Sequence, residues 1–224
     1  MGGLTKQQLA IAGAVLAALL VTIFYFSQPA AVPTTVGGTV APAGNAKNIL
    51  APGPLSEIAS GPADAKVTIV EYASMSCPHC AMFHTTVYPE LKKKYVDTGK
   101  VRFIFREFPL NNIAFAASML TRCVSDEKTK PLIEELFKRQ NEWLVSGDAL
   151  DRLFDVVKQA GFTKASFDKC LDDKALYDKL MLVRKRGDEQ FDVNSTPTLF
   201  INGEKYKGGL SVAALSSAIE DRLK

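Results

Sequence analysis

Residues 67–80 read Val-Thr-Ile-Val-Glu-Tyr-Ala-Ser-Met-Ser-Cys-Pro-His-Cys, an apolar run that ends in two cysteines separated by two residues. The first part, Val67–Tyr72, is continuous and rich in β-branched residues, which predicts a strand buried on both faces. Apolar residues at intervals of four follow the cysteines, which predicts a helix that begins at the motif. They are Phe83, Val87, Leu91 and Tyr95. The segment therefore places a cysteine pair at a strand–helix junction.

A cysteine pair at a helix start is the dithiol or disulfide arrangement of a thiol–disulfide oxidoreductase. The first helical turn offers unpaired backbone N–H groups and the positive end of the helix dipole, and both stabilise a thiolate. Pro78 suits that turn because it has no N–H to leave unpaired. His79, as an imidazolium, would add positive charge near Cys77. Because these features stabilise the reduced thiolate, they predict that the Cys77–Cys80 disulfide is a strong oxidant.

A zinc site and a structural disulfide are the alternative interpretations of the motif. Structural zinc usually takes four ligands, and this chain has one such cysteine pair and two histidines, His79 and His84. His79 lies inside the motif, where it is poorly placed to complete a tetrahedron. A disulfide that closes so short a loop would constrain little of the unfolded chain. Redox chemistry is favoured, and neither a metal nor another cofactor is predicted.

The composition is that of an ordinary globular protein, with 224 residues, 47% hydrophobic and 23% charged. The net charge of +3 provides no broad field for nucleic acid. Basic clusters at 92–94 and 184–186 are predicted to be solvated helix faces. The sequence has no Gly-rich phosphate loop and no Gly-x-Ser-x-Gly elbow, so it carries neither of these signatures of nucleotide binding or hydrolysis.

The N-terminal region predicts export. Leu9–Phe26 is almost entirely apolar and, as a helix, would be about 27 Å long, close to the thickness of a hydrocarbon core. No convincing cleavage site follows, so residues 1–26 are predicted to be an uncleaved membrane anchor, with a cleaved signal as the alternative. Lys6 and the amino terminus would keep that end cytoplasmic. Residues 27–56, rich in Pro, Ala and Gly, are predicted to be a linker.

Two further cysteines, Cys123 and Cys170, lie away from the motif. Disulfides persist outside the cytosol, so export makes a bond between these two the simplest interpretation. In the chain-entropy account a loop of this length contributes about 4 kcal/mol. Two buried free thiols are the alternative.

The remaining sequence predicts an α/β fold interrupted by helices. A second strand at Val101–Phe105 would complete a right-handed βαβ unit. Pro197–Ile201 and Glu204–Lys207 flank an Asn-Gly pair, the strongest short hairpin signal, and Val212–Leu223 is predicted to be a closing helix. Residues 112–190 show helical periods and no strand pattern. The helices predicted there are Ala114–Val124, Pro131–Leu144, Ala149–Ala160, Lys164–Leu171 and Lys174–Gln190.

In this order of elements the chain resembles the thioredoxin-fold disulfide oxidases of the DsbA family. The Cys-Pro-His-Cys tetrapeptide is identical to that family's usual active site, and Thr196-Pro197 matches its cis-proline. The resemblance implies a thioredoxin-like domain formed by 57–111 and 191–224. Residues 112–190 would then be an inserted all-helical domain that contains the second cysteine pair.

The resemblance also implies roles for individual residues. Cys77 would be the exposed sulfur that is attacked by a substrate thiolate, and Cys80 its buried partner. Glu71 matches a buried acid that relays the Cys80 proton, with a surface acid at the strand end as the alternative. Pro197, in cis, would place backbone beside Cys77 to pair with an extended substrate. Thr196 is a departure, because the best-known oxidases carry valine there and isomerases often carry threonine.

Two further side chains receive structural interpretations. His84, four residues beyond Cys80, is predicted to be a partly exposed helix histidine, with an electrostatic influence on the sulfurs as the alternative. Trp143 is predicted to belong to the core rather than to a ligand site.

The function predicted is that of a membrane-tethered, monomeric periplasmic oxidase that introduces disulfides into exported proteins. The resemblance implies reduced client proteins as substrates and a DsbB-like, quinone-linked membrane oxidase as partner. A disulfide isomerase or reductase is the first alternative. A client-specific peptide-binding chaperone or maturation factor is the second.

Overall fold

The computed structural model describes residues 48–144 and 147–224. Five strands form one sheet in the order β1-β3-β2-β4-β5. They are β1 (Ile58–Ser60), β2 (Val67–Ala73), β3 (Val101–Glu107), β4 (Thr198–Ile201) and β5 (Glu204–Lys205). The pair β2–β3 is parallel, whereas β1–β3, β2–β4 and β4–β5 are antiparallel. The βαβ unit and the Asn-Gly hairpin predicted from the sequence both lie in this mixed sheet.

The alternation of side chains along β2 divides the core into two parts. Ile69 and Ala73 belong to the larger cluster, which also contains the cysteine pair. Val70 and Tyr72 point to the other face and belong to a smaller cluster. Because successive strand residues point to opposite faces, Glu71 shares the face of Ile69 and Ala73. The strand therefore directs a carboxyl group into the core on the side of the cysteines.

The helix that follows the cysteines is wound unevenly. It consists of α1 (Pro78–Met82), a π-helical turn, α2 (Tyr88–Leu91) and a second π-helical turn. In a regular helix a strict spacing of four drifts by about 40° at each step. A π turn is wound more loosely, since its hydrogen bonds span five residues, and this counters the drift. All four residues of the predicted apolar series are buried: Phe83, Val87, Leu91 and Tyr95.

Helices occupy the described chain between β3 and β4. They are α3 (Asn112–Arg122), α4 (Asp126–Lys138), α5 (Gln140–Trp143), α6 (Ala149–Val157), a 3-10 turn (Lys158–Ala160), α7 (Lys164–Leu171) and α8 (Lys174–Phe191). A last helix, α9 (Val212–Leu223), follows the hairpin and buries Leu215 and Ile219 against the cysteine-containing core. Trp143 is fully buried, as predicted.

Three features of this architecture differ from the prediction. The single helix predicted over Pro131–Leu144 is divided at Arg139 into α4 and α5. Helix α4 begins five residues before Pro131, at Asp126. Its first turn carries Asp126 and Glu127, which favour a helix N-terminus, and Pro131 is accommodated inside the helix. The short edge strand β1 was not predicted, because three residues after a Pro/Gly-rich segment show too little alternation to be recognised.

Three arginines hold the segment that precedes β1. Arg106 of β3 donates hydrogen bonds to the carbonyl oxygens of Ile49 and Ala51, at 2.8 and 3.1 Å. Arg186 of α8 donates to the carbonyl oxygen of Pro52, at 2.7 Å, and to two neighbouring carbonyls. Arg122 of α3 donates to the carbonyl oxygen of Ser56 at 2.7 Å. We call residues 48–56 the arginine-held segment.

The membrane anchor predicted for residues 1–26 lies outside the described residues, as does most of the predicted linker. Among residues 48–144 and 147–224, no helix has the length and apolar character needed to cross a membrane.

Candidate active site

Cys77 lies at the junction of β2 and α1 and is the N-cap residue of the helix, with an extended backbone. Its N–H donates to the carbonyl oxygen of Ser74, at 3.0 Å, which closes a turn between strand and helix. Cys77 and Cys80 are both free thiols. Only 6% of Cys77 is exposed, so the expectation of an exposed sulfur is wrong. Its thiol lies against the backbone of Thr196, whose carbonyl oxygen accepts a hydrogen bond from Sγ at 3.2 Å.

The surroundings of Cys77 favour its thiolate. The hydrogen bond from the Cys80 thiol is the largest cause, and together with the others it lowers the pKa of Cys77 to about 5 against the opposing effect of burial. The Thr196 hydroxyl is buried and has no hydrogen-bond partner among the described residues, so it is available as a donor and helps to lower the pKa of Cys77. Backbone N–H groups of Cys80 and His79 add to the effect, as expected for the first turn of a helix.

Cys80 has the opposite character. It is fully buried, and burial is the main cause that raises the pKa of its thiol far above the ordinary value. Its hydrogen bond to Cys77 and the negative charge of Glu71 raise the pKa of Cys80 further. One sulfur of the pair thus favours the thiolate and the other favours the thiol.

Glu71 and His84 form a buried pair beneath the cysteines. Glu71 is fully buried, and its Oε2 lies 2.7 Å from Nε2 of His84. The imidazole stacks on the ring of Phe137 with 4.4 Å between ring centroids. The prediction of a partly exposed His84 is therefore wrong, because the residue lies in the first π turn on the same core face as Glu71. Its spacing of four from the buried Cys80 was the signal that could have placed it inward.

The loop before β4 also contacts Cys77. The Thr196–Pro197 peptide bond is cis, and both residues are half-buried. The backbone of Thr196 contacts the Cys77 sulfur, although 119 residues separate the two in sequence. The structure therefore brings together the two motifs that the sequence singled out.

Pro78 and His79 lie on the outer side of the motif, and both are exposed. Pro78 is in the first turn of α1, where its missing N–H leaves no backbone group unpaired. His79 acts on the thiolate through its backbone N–H. The additional role expected of its imidazolium stays a prediction.

Comparison with known proteins agrees with this architecture. A family model described as Thioredoxin matches residues 55–221 of the chain. The chain belongs to the thioredoxin family. The predicted thioredoxin-like α/β fold is confirmed by this match and by the mixed sheet.

Relatives of this thioredoxin-family chain carry names from disulfide chemistry. A protein of Rickettsia bellii named as a protein-disulfide oxidoreductase is 35% identical over 170 residues, which cover 74% of this chain and 66% of that protein. Disulfide bond formation protein D of Bacillus subtilis is 27% identical over 177 residues, which cover 73% of this chain and 76% of that protein. The chain thus spans just under two thirds of the Rickettsia relative.

A solved structure is also similar to this thioredoxin-family chain. The crystal structure of Wolbachia pipientis α-DsbA1 has a TM-score of 0.72 and 28% sequence identity, and the match covers 79% of this chain and 94% of that one. The predicted resemblance to DsbA is confirmed.

The second cysteine pair lies within the helices of this thioredoxin-family chain. Cys123, directly after α3, and Cys170 of α7 are joined by a disulfide with a Cα–Cα distance of 6.1 Å. The bond links helices between β3 and β4 and includes neither residue of the Cys77–Cys80 motif. Among the described residues, no three His, Cys, Asp or Glu side chains are grouped closely enough to hold a metal ion.

One more side chain reaches the motif, and the sequence analysis missed it. Gln140, the first residue of α5, is buried, and its Nε2 donates to the carbonyl oxygens of Met75 and Cys77, at 2.8 and 3.1 Å. A glutamine in a helical segment 63 residues from Cys77 gives no signal of such a contact in the sequence.

Proposed function

We propose that this protein is a thiol–disulfide oxidoreductase that introduces disulfide bonds into exported proteins through Cys77 and Cys80. The observation that carries the proposal is the contrast between the two sulfurs: the pKa of Cys77 is lowered to about 5, whereas burial raises that of Cys80. Stabilising a thiolate in the reduced form makes the corresponding disulfide more oxidising. The names of the Rickettsia and Bacillus relatives support the same chemistry.

The reaction proceeds in two exchange steps. A client thiolate attacks Sγ of Cys77 in the Cys77–Cys80 disulfide, and the electron pair of the broken S–S bond goes to Cys80. A second client thiolate then attacks the client sulfur of the mixed disulfide, and Cys77 leaves as a thiolate. The client has lost two electrons to the protein and gained a disulfide. The low pKa of Cys77 makes it the better leaving group, which favours this direction.

The first step needs a proton at Cys80, because burial disfavours its thiolate. Glu71 is the acid whose charge acts on Cys80, and it is hydrogen-bonded to His84. The carboxyl–imidazole pair holds exchangeable protons inside the core, and Glu71 delivers one toward Cys80. When the dithiol is oxidised again, the proton returns along the same route.

The client binds beside the cis-proline. Pro197 and Thr196 bring backbone to the Cys77 sulfur, and an extended client segment pairs with that backbone by main-chain hydrogen bonds. Because main-chain pairing does not depend on most side chains of the client, it suits an enzyme that acts on many reduced proteins.

The cellular setting completes the proposal. The protein works in the periplasm, tethered by residues 1–26, as a monomer. Its dithiol passes two electrons to a DsbB-like membrane oxidase, which passes them to quinone. The apolar N-terminal sequence supports the tether, and the resemblance to DsbA supports the periplasmic location and the DsbB-like partner. The monomeric state is proposed because the predicted linker shows no heptad pattern from which to build a dimer.

The deciding experiment measures the reduction potential of the Cys77–Cys80 couple against glutathione and the rate at which the protein oxidises a peptide with two reduced cysteines. We expect an oxidising potential and rapid peptide oxidation. Cys80→Ala should trap a mixed disulfide through Cys77, because the resolving sulfur is absent. Cys77→Ala should trap none and oxidise none. A potential as low as that of thioredoxin, near −270 mV, would reject the oxidase direction.

An isomerase is the second candidate, and Thr196 is the residue that favours it. The Thr196 hydroxyl lowers the pKa of Cys77, so it acts on the sulfur that would attack a scrambled client. A refolding assay with a mispaired client distinguishes the two, since an isomerase unscrambles it efficiently and a monomeric oxidase does so poorly. Retention of a client by Cys77→Ala, with no exchange activity in the wild type, would instead indicate the chaperone alternative.

A further inference from the structure

We propose that Gln140 is a positioning residue that sets the oxidising strength of the motif by clamping the backbone around Cys77. The inference rests on the proposed function, because it concerns the same cysteine pair. It assigns a redox role to the helices between β3 and β4.

The clamp is defined by two hydrogen bonds from one nitrogen. Both protons of the Gln140 amide are directed at carbonyl oxygens, that of Met75 at 2.8 Å and that of Cys77 at 3.1 Å. These two carbonyl groups lie on either side of Ser76 and of the peptide bond between Ser76 and the N-cap residue Cys77. The Cys77 carbonyl also accepts the first bond of α1, from the N–H of Ala81 at 3.1 Å. Gln140 therefore holds the strand end and the helix start in one arrangement.

The position of the Cys77 sulfur depends on that arrangement. Sγ must lie near the backbone N–H groups of His79 and Cys80, which stabilise the thiolate only at close range. It must also stay beside Thr196. Without the amide, the Met75 carbonyl would lose the hydrogen bond that Gln140 donates and the loop would be free to turn toward water. The sulfur would then lose part of its donor set, whereas the buried Cys80 would keep its surroundings.

The surrounding helices are built to hold Gln140 still. The Trp143 indole, fully buried in the same short helix, donates to the carbonyl oxygen of Leu136 at 2.9 Å and anchors α5 to the end of α4. Phe137, three residues before Gln140, stacks on His84 beneath the cysteines. The junction of α4 and α5 thus contacts the motif at its backbone and at its buried acid–imidazole pair.

Gln140→Met tests the clamp, because methionine has nearly the length of glutamine and no donor. Gln159→Met is the matched control, since Gln159 is an exposed glutamine of the same helical region. Thiolate absorbance of the reduced protein against pH gives the Cys77 pKa, and equilibration with glutathione gives the potential. For Gln140→Met we expect a rise of about one pKa unit, a tenfold change, and a fall of about 30 mV in potential. Gln159→Met should match the wild type.

The readouts separate the clamp from a purely structural role. Loss of packing alone would lower the unfolding free energy of both redox forms and leave the Cys77 pKa unchanged, and that result would overturn the proposal. The same readouts distinguish failure of the clamp from failure of the proposed function. A wild-type Cys77 that titrates near 8.5 would reject the oxidase itself, whereas a low wild-type pKa that Gln140→Met leaves unchanged would reject only the clamp.

A measurement on the wild-type protein covers the case in which Gln140→Met does not fold. The side-chain amide protons of Gln140, observed by NMR in ¹⁵N-labelled protein, should exchange slowly and should shift as Cys77 titrates. Rapid exchange, or signals that ignore the titration, would refute the clamp.

Discussion

The stability of the reduced protein should depend on pH through Cys77. The pKa of Cys77 is lowered to about 5 in the folded protein, whereas an unfolded cysteine titrates near 8.5. Between these values the unfolded chain binds one more proton, so the free energy of unfolding rises with pH, by up to about 1.4 kcal/mol per unit. The two pH units between 5 and 7 therefore add at most about 3 kcal/mol to the free energy of unfolding. Solvent around the exposed Pro78 and His79 screens part of the charge of the Cys77 thiolate and reduces this value.

The assay is guanidinium unfolding of the reduced and the oxidised protein at several pH values between about 5 and 8. The oxidised protein is the matched control, because its sulfurs do not titrate while all other groups remain. The reduced protein should gain stability over the oxidised form as pH rises. Cys77→Ala cannot form the disulfide with Cys80, and its stability should follow the pH dependence of the oxidised wild type. Reduced and oxidised curves that run parallel across the range would refute the assignment of the low pKa to Cys77.

Three further predictions concern other parts of the molecule. His79→Ser should lower the reduction potential by tens of millivolts while keeping the backbone N–H, and an unchanged potential would mean that the imidazole has no role. Gly187→Ala should lower the free energy of unfolding by about 1–3 kcal/mol, because the new Cβ would lie 2.8 Å from the tyrosine ring of β2. Gly209→Ala is the control in chemical denaturation, because the nearest atom to its new Cβ lies at 3.9 Å, an ordinary contact distance. Replacing both Cys123 and Cys170 with alanine should remove about 4 kcal/mol of stability without changing the pKa of the reactive thiol, as calorimetry and thiolate absorbance would show.

The sequence predicted the parts of the fold that depend on local patterns. The buried run at β2, the Asn-Gly hairpin and α9 each carry a period or a turn signal within a dozen residues. The left-handed backbone of Asn202 and Gly203 is the conformation that this hairpin turn requires. The π turns after the motif could not be predicted, although the strict spacing of four is consistent with them in retrospect.

The active site was predictable only where its residues lie in motifs. Cys77 and Pro197 belong to short motifs that can be recognised in the sequence, whereas the positions of Gln140 and His84 depend on tertiary packing. A histidine at a helical position looks the same in sequence whether its neighbour is water or a buried carboxylate. Here the alternation of β2 directs Glu71 inward, and the contact between the two becomes visible only once strand and helix are packed together.

The arginine-held segment also has a mechanical consequence. Arg106 binds the Tyr72 hydroxyl, on the sheet face opposite the core that contains Cys77. A pull on the chain before residue 48 would therefore be taken up first by Arg106, Arg122 and Arg186, which distribute the load over β3, α3 and α8. The hydrogen bonds of Cys77 lie outside this load path. A force applied on the N-terminal side of residue 48 would therefore act on the arginine contacts and leave the hydrogen bonds of Cys77 in place.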